Sequence, residues 1–433
     1  ILSNSIEDGE DIEMKVVQIN TFPYKSTGHI MMNIHRVLAE QGHDSYVCWG
    51  RGRASENKHE LVIADNLGVK FHALYTRIFD KTGFASSRAT KILLQKLDEI
   101  KPDIIHLHNV HGYYINIEML FNYIRKYDIK VVWTLHDCWS MTGHCAYFEM
   151  CGCEKWKNGC FKCEQTNTYP SSKILDNSKS NWEKKRALFM GLNIVIITPS
   201  EWLKNIVQQS YLKEYPCVVI NNGIDLNVFG ASDKKRIEEV KKKYNLDDRK
   251  IILGVASEWL PRKGLNDFFE LSEMMKDVQF VLVGLTNKQI KKLPQNIRGI
   301  ERTENQEELI ALYTIADIFF NPTYEDNFPT TNLEALACGT PVITYDTGGS
   351  PEVLEQNDYL QNPLIGDVIK KISSKKVSYE TVKTRLYRFL KKTVESSSES
   401  SMACEEVSLQ YEAKKQFEKY INVYNQLLDN NEY

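Results

Sequence analysis

Residues 317–346 read DIFFNPTYEDNFPTTNLEALACGTPVITYD. An apolar run at 317–323 is strand-like, and a loop carrying Glu325 and Asp326 follows it. Next, Leu333, Leu336 and Ala337 share one face at helical spacing. Gly339 stands where a C-terminal glycine belongs and Pro341 forbids continuation, so the helix begins near Pro329–Thr331. A second apolar run, PVITYD, closes the stretch. Strand, short helix and strand without a hairpin turn is a parallel unit, because parallel neighbours need a crossover.

The same alternation extends in both directions. Strand-like runs stand at 15–20, 44–50, 102–108, 130–137, 193–200 and 216–223, with helical patterns at 29–43, 89–100 and 117–127 among them. The pattern restarts with strands at 250–257, 278–284, 317–323 and 341–346. Two doubly wound α/β halves are therefore expected, joined near NNGIDLNVF at 221–229. The expected division is a disordered leader or extension over 1–13 and a first domain over 14–222. A second domain over 223–395 and a tail over 396–433 complete it. Within the tail, 394–403 reads as a polar linker. Residues 411–428, with Phe417, Tyr420, Ile421, Val423 and Tyr424 at helical spacing, read as a helix docking back.

Composition narrows the function. The 433 residues are 42% hydrophobic and 26% charged, with a net charge of -3, which gives no support for nucleic-acid binding. No apolar run approaches the ~18 residues of a membrane span. The first thirteen residues are too acidic and polar for a secretory signal. Scattered single cysteines suit a cytoplasmic protein.

Open parallel sheets bind ligands at the carboxyl ends of their strands, so two facing halves place the site in the cleft between them. A helix starting near Pro329 would aim free N–H groups and a positive dipole end at that cleft. Asp326 lies just before this end and Glu334 about one turn inside. Carboxylates accept sugar hydroxyls and helix starts hold phosphate, so the combination suits a sugar joined to a nucleoside diphosphate. The plainer alternative is that both acids only favour the helix N-terminus electrostatically. No GxGxxG or P-loop is present, which argues against nicotinamide or ATPase chemistry.

At these residues the chain resembles the retaining family-4 glycosyltransferases, also called glycosyl transferases group 1. EDNFPTTNLEALACGTPVITYDTGGSPEVL at 325–354 is similar to their signature of two Glu with seven residues between them, followed by Ala-x-x-x-Gly-x-Pro-Val. The resemblance implies the GT-B fold, two facing Rossmann-like domains with a deep cleft. It puts Asp326 at the first acidic position, where the family has Glu, with Glu325 adjacent; either acid could reach the donor sugar. It implies that Glu334 holds the ribose and that the backbone at Asn327, Phe328 and Pro329 holds sugar or phosphates. Lys263, in GVASEWLPRKG at 254–264, would be the diphosphate-binding cation. The family's preceding Arg is replaced by Ser257 or Glu258, which leaves Arg262 as a substitute. Ser26, Thr27 and Gly28 would form a lip over the phosphates, and His136 would face the reacting sugar. His108, Asn109 and His111 would be acceptor-side or structural groups.

HNVHGYY, LHDCW and TGHCAYF also resemble a subgroup that builds exopolysaccharides of the colanic-acid kind. The implied activity is metal-independent transfer of a hexose-type sugar, with retention, from a nucleoside-diphosphate sugar to a glycan or lipid-diphosphate-linked acceptor. That implies peripheral contact with the inner membrane face. A nucleotide-sugar epimerase, or a degenerate partner subunit, would carry similar motifs.

Six of the ten cysteines fall between Cys138 and Cys163. The insertion at 143–163 contains Cys160-x-x-Cys163 with Cys145, Cys151 and Cys153 upstream. The spacing admits a structural zinc held by Cys145, Cys153, Cys160 and Cys163, with Cys151 an alternative ligand. Disulfides and free thiols are the other two states it admits.

Overall fold

A computed structural model describes residues 13–53, 55–355, 364–395 and 397–429. The first sheet holds β1 (Lys15–Asn20), β2 (Asp44–Trp49), β3 (Glu60–Val62), β4 (Ile104–Leu107), β5 (Lys130–Thr134), β6 (Ile194–Thr198) and β7 (Cys217–Val219), in the order β3-β2-β1-β4-β5-β6-β7. The second holds β8 (Lys250–Val255), β9 (Val278–Val283), β10 (Ile297–Ile300), β11 (Ile318–Asn321), β12 (Val342–Tyr345) and β13 (Gly366–Ile369), in the order β10-β9-β8-β11-β12-β13. Every strand pair is parallel. Strand order reverses between β1 and β4 and again between β8 and β11, which opens a ligand crevice at each place. The chain thus has the expected two doubly wound α/β halves.

The central strands are buried throughout: Ile194–Thr198, Val278–Val283 and Val342–Tyr345 have no exposed position. Continuous apolar runs are what a sheet covered on both faces requires. The reading of the sequence passes over β3, β10 and β13. These have three or four residues, two contain glycine, and each lies on a sheet edge. An edge strand is defined by its partner more than by its own pattern.

Two expectations change. The segment 394–403, read as a linker, is helical within Ser397–Ser408. Ser400, Cys404 and Val407 lie inward at helical spacing, and Ser400 Oγ donates to Leu364 O at 2.6 Å. The helix packs on the helix Thr330–Ala337, beyond which Gly339 takes φ 76°. Serine scores as a loop former, but a small hydroxyl fits a close helix contact when it finds a carbonyl. The helix expected from residue 29 begins earlier, at Lys25. The leader expected over 1–13 lies outside the described residues except for Glu13.

The last helix, Ala413–Leu428, crosses back onto the first half. Phe417, Tyr420, Ile421, Val423 and Tyr424 pack with Val16, Ile34 and Val132, as the spacing predicts. Each such side chain contributes about 1.5–3 kcal/mol. Tyr424 OH also meets His106 Nδ1 at 2.6 Å, so His106 is a core histidine whose second nitrogen bonds Thr134 at 2.8 Å.

Candidate active site

The site is built from loops at the carboxyl ends of β5, β8 and β11. After β8, the chain makes one 3-10 turn at Pro261–Lys263. Gly264 closes that turn at φ 73°, and a Cβ there would stand 2.2 Å from Pro322 O. The glycine therefore seats Lys263 against the loop after β11. Gly264→Ala is expected to cost about 1–3 kcal/mol and to lower turnover more than stability; a urea melt beside steady-state kinetics checks it. A variant with native kinetics would show that the seating is unimportant.

Lys263 Nζ pairs with Asp326. Burial opposes ionisation of Asp326, but Lys263 and Arg262 outweigh it and hold the carboxyl below its ordinary value. Asp326 Oδ1 also accepts from the Asn327 N–H at 2.9 Å. Glu325 faces away from this pair and accepts from the backbone N–H of Met150, in the cysteine-rich insertion. Burial pushes its carboxyl up to about 7, against Met150 N–H and Arg262. Arg262 donates to Glu325 O at 2.8 Å and lies 4.3 Å over the Tyr147 ring.

Pro329 opens the helix Thr330–Ala337, and no side chain caps its N-terminus. Glu334, one turn in, accepts from Tyr313 OH at 2.8 Å. Burial raises its carboxyl above the ordinary value despite Tyr313 and Thr330. Phe328 is buried against Tyr411, and its carbonyl accepts from Asn222 Nδ2 at 2.9 Å.

Across the cleft, the backbone oxygen of His136 accepts from Asn327 Nδ2. The His136 ring stacks on His108, with Nε2 3.0 Å from His108 Nδ1. Burial pushes His136 down to about 4, so the ring is neutral at neutral pH. His111 Nε2 meets Asp137 Oδ2 at 2.8 Å, and His111 Nδ1 meets Tyr169 OH at 3.0 Å. Ser26, Thr27 and Gly28 lie in the first turn of the helix Lys25–Glu40. A Cβ on Gly28 would stand 2.6 Å from Pro23 C, so this glycine admits close packing of backbone. Thr27 Oγ1 accepts from Asn20 Nδ2 at 3.3 Å.

The tertiary structure adds partners that no local pattern marks. Glu352 Oε1 and Oε2 accept from the N–H groups of Trp202 and Glu201, at 2.8 and 2.9 Å, at the start of a helix in the other half. Lys371 pairs with Glu149 of the insertion at 3.4 Å. A narrow cavity lies between the halves, lined by Cys138, Tyr147, Phe148, Glu149, Trp202 and residues 325–327.

The zinc set is not assembled. Cys160 Sγ accepts from Gly143 N–H at 3.1 Å, Cys151 Sγ donates to Phe148 O at 3.1 Å, and Cys145 shares a hydrogen bond with Cys163. All ten cysteines are free, and among the described residues no three His, Cys, Asp or Glu side chains group as metal-ion ligands.

A raised carboxyl makes Glu325 a pH-dependent destabiliser. Its ordinary value is 4.5 and its folded value is about 7. Between them the folded state holds a proton that the unfolded state has released, so stability falls as pH rises through this window. Glu325→Gln is expected to flatten the dependence of melting temperature on pH between 4.5 and 7. An unchanged slope would disprove it.

The fold and these loops define an enzyme with two facing nucleotide-binding-type halves. Residues 28–228 match the family profile described as Glycosyltransferase Family 4, and residues 236–377 match Glycosyl transferases group 1. The chain belongs to this family of glycosyltransferases and has its GT-B fold. It is 27% identical over 372 residues to the Escherichia coli K12 protein named for a glycosyl transferase role in colanic acid biosynthesis, covering 79% of this chain and 86% of that one. It is 32% identical over 146 residues to the N,N'-diacetylbacillosaminyl-diphospho-undecaprenol alpha-1,3-N-acetylgalactosaminyltransferase of Campylobacter jejuni, covering 32% of this chain and 38% of that one. Among solved structures, sucrose-phosphate synthase from Thermosynechococcus elongatus superposes with a TM-score of 0.71 at 14% identity, over 96% of this chain and 100% of that one. Anabaena HepE in complex with UDP superposes at 0.64 with 13% identity, over 95% and 100%. At these identities the superpositions speak for the fold alone.

Proposed function

We propose that the chain transfers a hexose-type sugar, with retention and without a catalytic metal, from a nucleoside-diphosphate sugar to a lipid-diphosphate-linked glycan in polysaccharide biosynthesis. The observation that carries this is the Lys263–Asp326 pair beside the uncapped start of the helix Thr330–Ala337, with Glu334 one turn inside. Lys263 and the helix N–H groups take up charge as the bond from the anomeric carbon to the leaving phosphate oxygen breaks. The acceptor oxygen bonds the same face of that carbon, and its proton passes to the departing phosphate. Glu334 receives the ribose hydroxyls, Asp326 the sugar, and neutral His136 a hydrogen bond from the opposite side.

The name of the Escherichia coli relative supports a polysaccharide product, and that of the Campylobacter relative supports a diphospho-undecaprenol acceptor. The test is a panel of nucleotide sugars incubated with undecaprenyl-diphosphate-linked glycans, with products read by mass spectrometry and their anomeric configuration by NMR. Transfer with retained configuration is expected. An inverted product, or an epimerised donor without transfer, would overturn the reading.

A further inference from the structure

Among the described residues no helix is long and apolar enough to cross a membrane. One helix is nevertheless apolar on its outer side. In the helix Asn66–Phe79, Val69, His72 and Thr76 are buried. At about 100° per residue, Leu67 and Leu74 stand at the pole opposite these three, with Phe71 beside them. They are 78%, 54% and 65% exposed. This inverts the usual amphipathic arrangement, in which the outer face is polar. A second element extends the ridge: Lys173 N–H donates to Arg77 O at 2.7 Å and Leu175 N–H to Ile78 O at 3.2 Å. Ile174 and Leu175, 69% and 44% exposed, therefore lie beside the end of the helix.

Charge decides what the ridge fits. Lys70 and Arg77 flank the apolar pole on one side of the helix, and Lys173 lies on the adjoining segment; all three are exposed. Two exposed acids also lie nearby, and both accept backbone N–H groups: Asp65 from Gly68 at 2.6 Å, and Asp176 from Cys163 and Ser178. Apolar anchors with cations beside them match an anionic bilayer surface, where acyl chains receive the former and headgroup phosphates the latter. The ridge also adjoins the acceptor side of the cleft. Beneath it His72 meets Tyr113 edge-on at 5.9 Å, Tyr113 meets Tyr169 at 6.2 Å, and Tyr169 bonds His111 beside Asp137.

We propose that the helix Asn66–Phe79 and residues 173–175 form the face by which the enzyme docks on an anionic lipid bilayer. The purpose of this face rests on the proposed membrane-borne acceptor; its test does not. The full chain is floated with vesicles of phosphatidylglycerol mixed with phosphatidylcholine, and with phosphatidylcholine alone. Wild type is expected to float with the former, less as salt rises, and far less with the latter. The pair Phe71→Ser and Leu74→Ser is expected to lower partitioning by about tenfold or more. The pair Lys70→Gln and Arg77→Gln is expected to lower it by about tenfold. These side chains face solvent, so circular dichroism should show both variants folded. Failure of wild type to float with the anionic vesicles, or undiminished flotation of folded variants, would overturn the proposal. So would a wild-type dimer that these substitutions dissolve, since a second copy would then own the face. If flotation behaves as expected while lipid-linked glycans are not used, the acceptor reading fails and the docking face stands.

Discussion

Replacing Lys263 by alanine is expected to lower kcat/KM for the nucleotide sugar by about 10²–10³-fold, the scale of losing one preorganised group that meets developing charge. The ammonium is held by Asp326, by the turn at Pro261–Lys263 and by the close seating of Gly264 on Pro322. It thus needs no rearrangement as the diphosphate departs. Lys263→Ala also leaves Asp326 without its partner. Removing one member of a fully buried ion pair costs about 3–5 kcal/mol, but the Asp326 side chain keeps 18% exposure, so the loss should be smaller. Urea melts read that loss, and calorimetry with the nucleoside diphosphate reads binding. Lys263→Met, which keeps the alkyl stem, should match alanine in kinetics. Unchanged diphosphate affinity and turnover in a folded variant would remove Lys263 from the mechanism.

Asp326→Asn is expected to reduce kcat by about 10²-fold, and Glu325→Gln by less than about tenfold. The structure separates two neighbours that the sequence leaves equivalent. Asp326 is tied to Lys263, on the side of the proposed diphosphate site, and is held ionised. Glu325 is spent on the backbone N–H of Met150, in the other half, and burial raises it to about 7. A glutamine can still accept that N–H, so turnover should survive while the pH dependence of stability flattens. An asparagine at 326 loses the charge that partners Lys263. Steady-state kinetics on both variants decides between them; equal, small losses would undo the assignment of Asp326 to the sugar.

These two acids also show how far the sequence can be read. Alternating apolar runs and helical periods suffice for two doubly wound halves, because strands buried on both faces must be continuously apolar. The helix after Pro329, its end at Gly339 and the position of Glu334 one turn inside follow from local rules and appear as expected. The docking of Ala413–Leu428 was legible for the same reason: its apolar stripe needs a core to cover it. Elements decided by a distant partner were not legible. Edge strands β3, β10 and β13 are too short to carry a period. The serine-rich helix Ser397–Ser408 packs on a neighbouring helix, and Cys151 and Cys160 found hydrogen-bond partners within the insertion.

What the amino-acid order determines by itself is therefore everything set by nearest-neighbour chemistry: strand runs, helix starts and stops, and which residue types stand at strand ends. Only the tertiary structure decides which acid faces which partner. The contacts of Glu325 with Met150, Asn327 with His136, Glu352 with Trp202 and Glu149 with Lys371 join residues 150 or more positions apart. A hydrogen bond is fixed to within a fraction of an ångström, whereas sequence separation says nothing about distance once the chain has turned back on itself.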